Sequence, residues 1–218
     1  MPVPWVFRQP DEGLAAPDIL CERRAMTIAV LLALAVQAAA PQPSDTPRFR
    51  GEGQMRMFDM ICNHVFPDDA RIAAGMSKIP GARALTPDEL RIYLKDDPGR
   101  GWTMPAGTSR IVVTIEAPPV HACAVRIGNT DGIIDEGRWQ QLLTAAQARS
   151  GGDFTVMPPQ TFAVGDLRTE ASGVQKQAAD GSAEAYYLLR TSPKNPAAAR
   201  GYGVELRMVR QLVTAPRR

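Results

Sequence analysis

The sequence predicts an α+β fold: N-terminal helices followed by an antiparallel sheet, with one inserted helix packed on it. Three observations predict it. Between residues 52 and 94 apolar residues recur at helical spacing, whereas from residue 109 onward the dominant period is two. A single helical pattern, at about 134–149, then interrupts the strands. Helices first and antiparallel strands after, with one helix between them, are the ordering of an α+β domain.

The first helix is expected over 52–65, because Met55, Phe58, Ile61, Cys62 and Val65 share one face, and Pro67 ends it. A short second helix is expected to start at Asp68 or Asp69 and run to Ala74, with Gly75 capping its end. Thr86-Pro87-Asp88-Glu89 is a capping box with proline at the first helical position, which predicts a third helix over 87–94; Asp97-Pro98-Gly99 breaks the chain after it. Arg110 to Glu116 alternates, Ala117-Pro118-Pro119 turns, and Val120 to Ile127 returns, so 109–128 reads as a hairpin whose second strand places His121, Cys123, Val125 and Ile127 on one face. Trp139, Leu142, Leu143 and Ala146 mark the inserted helix, closed by Gly151-Gly152. Strands are expected near 160–165, 167–176, 183–191 and 202–213, separated by Gly165-Asp166, Asp180-Gly181 and Pro193-Lys194-Asn195-Pro196.

Ahead of this domain, Ile28 to Val36 form a short apolar run that exits through Gln37-Ala38-Ala39-Ala40, the pattern of a secretory signal peptide over 26–40. The run is shorter than the about 20 residues a membrane span requires. No cysteine stands directly at its exit, so no lipid anchor is expected, and no stable membrane span is expected after cleavage. Residues 1–25 carry four prolines and no periodic pattern, which reads as a mis-called N-terminal extension; 41–50 reads as a flexible leader, and 51–218 as a single domain. The expected location is periplasmic or secreted, with the mature chain starting at Ala39 or Pro41.

From Ala39 onward 22 Lys plus Arg stand against 19 Asp plus Glu, a net charge of +3. The basic residues are scattered and no aromatic-basic stripe accompanies them, which argues against nucleic acid as a partner. About 180 residues suit one domain with a proper core.

The mature chain holds two cysteines, Cys62 and Cys123, each on the apolar face of its element. In an oxidising compartment they are best read as one disulfide joining the first helix to the hairpin, with a pair of buried thiols as the alternative. The only two histidines flank them, in Cys62-Asn63-His64 and His121-Ala122-Cys123, which also supplies the ligand set of a structural zinc site. Residues two apart in a helix diverge by about 200°, so Cys62 and His64 converge on a metal only if that segment is not helical. No metal site and no cofactor is assigned.

Asn129 to Asp135 resembles the middle of a calcium loop, but the frame places Ile127 and Arg138 where the first and last ligands belong; Asp131 or Asp135 as a helix N-cap accounts for the same residues. There is no Gly-x-Ser-x-Gly elbow and no His-Glu-x-x-His helix, and no catalytic residue is assigned. The adjacent acids Asp68, Asp69, Asp96 and Asp97 are read as caps and solvated loop residues. The segment Asp96 to Trp102 offers acid, base and a large aromatic on a turn, which makes Arg100 and Trp102 the candidate binding loop; alternatively Trp102 begins the sheet and packs inward.

Met60-Ile61-Cys62, Phe66-Pro67, Tyr93-Leu94, Pro98-Gly99-Arg100-Gly101-Trp102 and Cys123-Ala124-Val125 resemble the landmarks of a family of small exported or lipid-anchored proteobacterial proteins of unassigned function, over about 55–150. The resemblance implies a periplasmic, disulfide-bearing protein and offers no catalytic or ligand residues. The function expected from the sequence is a non-enzymatic binding module for an envelope component or a partner protein. The alternative is a periplasmic hydrolase or small-ligand enzyme using His64 or His121.

Overall fold

The apolar stripe of Met55, Phe58, Ile61 and Cys62 does form the first helical segment, in two parts. In the computed structural model α1 (Glu52–Phe58) runs directly into a π-helical turn (Asp59–Asn63), where His64 N–H donates to the carbonyl of Asp59 at 3.1 Å. The structure describes residues 51–107, 109–195 and 203–215, all within one compact unit, Arg48–Arg218. The expected extension 1–25, signal peptide 26–40 and leader 41–50 lie outside the described residues.

Helix α2 (Asp69–Met76) is capped by the Asp68 carboxylate, which accepts from the N–H of Arg71 at 2.9 Å. The helix passes through Gly75 and ends at Ser77, so Gly75 is an interior residue rather than the expected cap. After the two-residue strand β1 (Arg83–Ala84), α3 (Pro87–Leu94) carries the expected capping box between Thr86 and Glu89. Helix α4 (Glu136–Ser150) starts at Asp135, whose side chain accepts from Arg138 N–H at 2.9 Å; Asp131 instead accepts from Ile133 N–H in the preceding turn.

The remaining strands are β2 (Gly99–Ala106), β3 (Ser109–Glu116), β4 (Val120–Thr130), β5 (Thr155–Val164), β6 (Leu167–Gln177), β7 (Ala183–Pro193) and β8 (Val204–Val213). They form one antiparallel sheet in the order β1-β2-β3-β4-β8-β7-β6-β5. Two meanders therefore meet at the β4–β8 pair, and α4 carries the chain from the middle of the sheet to its far edge. Pro158 and Pro159 are tolerated in β5 because it is that edge strand and the register shifts between Met157 and Gln160.

Alternation gives the sheet two buried faces. On the helical face, Val113, Cys123, Val125, Leu188 and Met208 join Met55, Phe58 and Trp139 from the helices in the main core. The rings of Phe58 and Trp139 lie 5.8 Å apart. On the opposite face, Ala122, Ala124, Tyr187, Leu189 and Val209 form a second apolar cluster. Helix α3 packs over the β2–β3 end of that second face: a Cβ at Gly101 would come within 2.6 Å of Leu85 and 3.1 Å of Leu90.

The sequence places Arg100 and Trp102 on a turn before the sheet, and the structure corrects this. Both lie within β2, where Trp102 pairs with Val113 and Arg100 with Ile115. Trp102 is buried in the main core, as the inward-packing alternative has it, and Arg100 is exposed. Gly99, Gly101 and Pro105 interrupt the apolar alternation that would have marked the strand.

Candidate functional site

The chemistry-bearing residues gather where the π-helical turn meets β4, β7 and β8. The sulfurs of Cys62 and Cys123 are 1.97 Å apart, at disulfide distance, and both residues are fully buried. The pair joins the π-helical turn to β4, as the facing apolar stripes predict.

The histidines on either side of these cysteines go separate ways. His121 Nε2 is 2.9 Å from Asp69 Oδ1, and its ring packs edge-on against Phe66 with 4.5 Å between centroids. That side chain is only 13% exposed, against 53% for His64, whose Nε2 is 3.6 Å from Asp59 Oδ1. The four residues of the conceivable zinc set are thus divided among a sulfur–sulfur pair and two different carboxylates. Among the described residues no group of three or more His, Cys, Asp or Glu is placed to hold a metal ion.

A second polar group, absent from the sequence expectations, is built around Glu184 on β7. Its Oε1 accepts from Ser150 Oγ, Tyr186 Oη and Arg210 Nε, each at 2.9 Å, and Oε2 lies 3.1 Å from Lys176 Nζ. Both cations also bind helix ends. Lys176 Nζ donates to the carbonyls of Ser150 and Gly151 at the C-terminus of α4, at 2.9 and 2.8 Å. Arg210 Nη1 donates to the carbonyls of Cys62 and Phe66, both at 3.1 Å, at the end of the π-helical segment. These carbonyls have no partner within their helices, so each cation satisfies orphan acceptors and a negative dipole end at once. One carboxylate thereby ties two helix ends to the sheet.

Burial pushes the Glu184 carboxyl up, but the Arg210 charge and the hydrogen bonds from Tyr186, Ser150 and Lys176 outweigh it and hold the group below the usual range. Burial pushes the Tyr186 phenol up to about 12. Strand register assembles the group: Lys176 faces Glu184 across β6–β7, and Tyr186 faces Arg210 across β7–β8. The only sequence signal was charge at positions that alternate inward, at Lys176, Glu184 and Arg210.

Beside this group lies a hollow of about 720 Å³, between the end of α4 and the β6–β7 hairpin, lined by Ser150, Lys176, Glu184 and Leu212 among others. Of its charged side chains, Lys176 and Glu184 are engaged with each other and with neighbouring groups, and Asp153 also lines it. Glu184 Oε1 accepts from Ser150, Tyr186 and Arg210, Oε2 faces Lys176, and the three Lys176 donors go to two carbonyls and that carboxylate. Those three donors are thereby used, so Lys176 offers none to a ligand in the hollow. Neither histidine lines it.

Arg100 and Trp102 are brought near neither group: they belong to β2, separated from β8 by β3 and β4. Among the described residues no helix is long and apolar enough to cross a membrane. Compared with known proteins, the chain matches no family model, no curated protein and no solved structure.

Proposed function

We propose that the chain is an exported binding module, acting in the periplasm or outside the cell, that holds an envelope component or a partner protein without making or breaking bonds in it. The observation that carries this reading is the state of the reactive side chains. The two cysteines are joined to each other, and among the described residues each histidine hydrogen-bonds or faces a carboxylate and neither hydrogen-bonds a hydroxyl or thiol. A buried sulfur–sulfur pair is also what an oxidising compartment favours. The exposed Arg100 on the edge of β2 remains a proposed contact, whereas Trp102 serves the core.

The test is capture from a solubilised envelope fraction with the tagged mature protein, in parallel with wild type and His64→Gln/His121→Gln. The expected result is one retained component, held equally by both forms, and an N-terminus at Ala39 or Pro41 in the exported protein. Retention of nothing, or recovery of intact residues 1–40 in a cytosolic fraction, overturns the reading.

A second reading, a hydrolase, is favoured by the His121–Asp69 contact at 2.9 Å, which has the form of a base oriented by an acid. It requires a measurable hydrolysis of ester, amide or phosphoester substrates that His121→Gln abolishes.

A further inference from the structure

The face of the sheet opposite the helical core carries two arginines that the fold does not explain in full. Arg126 on β4 and Arg207 on β8 are directly paired in register, so both guanidiniums rise from the same face side by side. Like charges at directly opposed cross-strand positions repel, and such a pair persists where something compensates it. Arg126 has a structural role: Nη2 donates to the carbonyl of Tyr93 in the last turn of α3 at 3.2 Å, and the guanidinium lies 5.1 Å over the Tyr93 ring. The Arg207 side chain makes no hydrogen bond or ion pair among the described residues.

Two further facts point to an absent acceptor. The Nε atoms of both arginines are buried with no hydrogen-bond partner, and Arg126 as a whole is only 8% exposed. A buried donor left unpaired is costly and in native proteins calls for a water, an ion or a ligand. The nearby acids do not complete the pair. Glu116 and Glu205 act on the arginines through space, with no ion pair formed within 4.0 Å among the described residues. Burial, and then the Arg126 charge, still pull Arg207 down to about 9 against their opposition.

We propose that Arg126 and Arg207 form an oxyanion site that receives a phosphate group. Two guanidiniums match the near-double charge of a phosphate monoester, and its tetrahedral oxygens can accept from N–H groups of both guanidiniums, an arrangement for which arginine is the preferred partner. Leu189 pairs with Arg207 in register and Val209 follows it on the same face, so an apolar surface adjoins the charged one. An organic phosphate with an apolar tail would meet both. The inference rests on the binding-module reading and gives its ligand a chemistry.

The experiment uses the purified mature protein and two probes, inorganic phosphate and the soluble lipid dihexanoylphosphatidic acid, against chloride at matched ionic strength. Thermal stability and the side-chain Nε–H signals of arginine are followed. Phosphate is expected to raise the melting temperature of the wild type and to shift the signals of Arg126 and Arg207. Arg207→Gln should weaken binding by at least about tenfold, the loss of charge-assisted hydrogen bonds, and Arg207→Lys should retain part of it. Arg168→Gln, on an exposed pair on the other face, serves as the control. Tighter binding of the lipid identifies a lipid headgroup as the source, and equal binding identifies a free phosphate. Unchanged signals and stability in the wild type with both probes overturn the inference, as does equal affinity in a folded Arg207→Gln. Envelope capture that persists after such a failure leaves the binding-module reading standing, and loss of capture with phosphate binding intact overturns only that reading.

Discussion

Trp102 and Arg100 stand two residues apart on β2, and the difference between them is a matter of neighbours. Trp102 lies where β1 covers the strand and the helical core receives its ring, whereas Arg100 lies beyond the reach of β1. Trp102→Ala should therefore cost about 3–5 kcal/mol, the range for truncating a large buried aromatic. Arg100→Ala should change stability by no more than about 0.5 kcal/mol, as exposed substitutions do. Urea unfolding of the two variants measures both, and a folded, fully stable Trp102→Ala would contradict the placement. Arg210 is the more demanding case, because it neutralises Glu184 and satisfies the carbonyls of Cys62 and Phe66 together. Arg210→Met should destabilise by about 3–5 kcal/mol, since it leaves a buried carboxylate and orphan carbonyls behind. Adding Glu184→Gln should restore part of that loss, and a double-mutant cycle reads the coupling; simple additivity would mean that the two side chains do not act as a pair.

At the scale of elements, the clearest handle is the start of α3, where Glu89 joins the capping box to a two-point ion pair with Arg83 at 2.7 and 2.6 Å. The hydrogen bonds from Arg83, and then from the backbone of Thr86, hold the Glu89 carboxyl at about 2. An unfolded glutamate titrates near about 4.3, so this contribution to stability is present above that pH and is lost as pH falls toward about 2. The stability difference between wild type and Glu89→Gln should accordingly be present at neutral pH and shrink away on acidification. A difference independent of pH would show that the cap acts without its charge. The same helix was legible in the sequence because all its determinants, Thr86, Pro87 and Glu89, lie within four residues. β2 was not legible, because Gly101 occupies a position that Leu85 and Leu90 crowd, and that requirement appears only once α3 is packed. The π-helical turn was hidden for a different reason: one added residue per turn leaves the apolar stripe of Ile61 and Cys62 intact. The Glu184 group was illegible because its members come from three strands and the end of α4, whose neighbour relations only the sheet order and the packing of that helix supply.

For the whole molecule, the sheet is two meanders that share only the β4–β8 pair, so their union depends on what crosses that line. The backbone ladder does so first, and Gln54 reinforces it by donating to the carbonyl of Val125 on β4 at 3.0 Å and to that of Leu206 on β8 at 2.9 Å. The Cys62–Cys123 pair adds a covalent link from β4 to the helical segment whose end Arg210 of β8 binds. The linked residues are 61 apart, and closing a loop of that length in the unfolded chain is worth about 4 kcal/mol in the chain-entropy account. Replacing both cysteines by serine should lower the unfolding free energy by roughly that amount, with the loss falling on the denatured state rather than on native contacts. The variant should then keep the wild-type fold and show a larger denaturant dependence, because its unfolded chain expands further. Since both residues are fully buried, thiol reagents should reduce the wild-type pair only as fast as the domain opens. Rapid reduction of the folded protein, or an unchanged unfolding free energy in the double serine variant, would place the holding of the two meanders on the β4–β8 ladder and Gln54 alone.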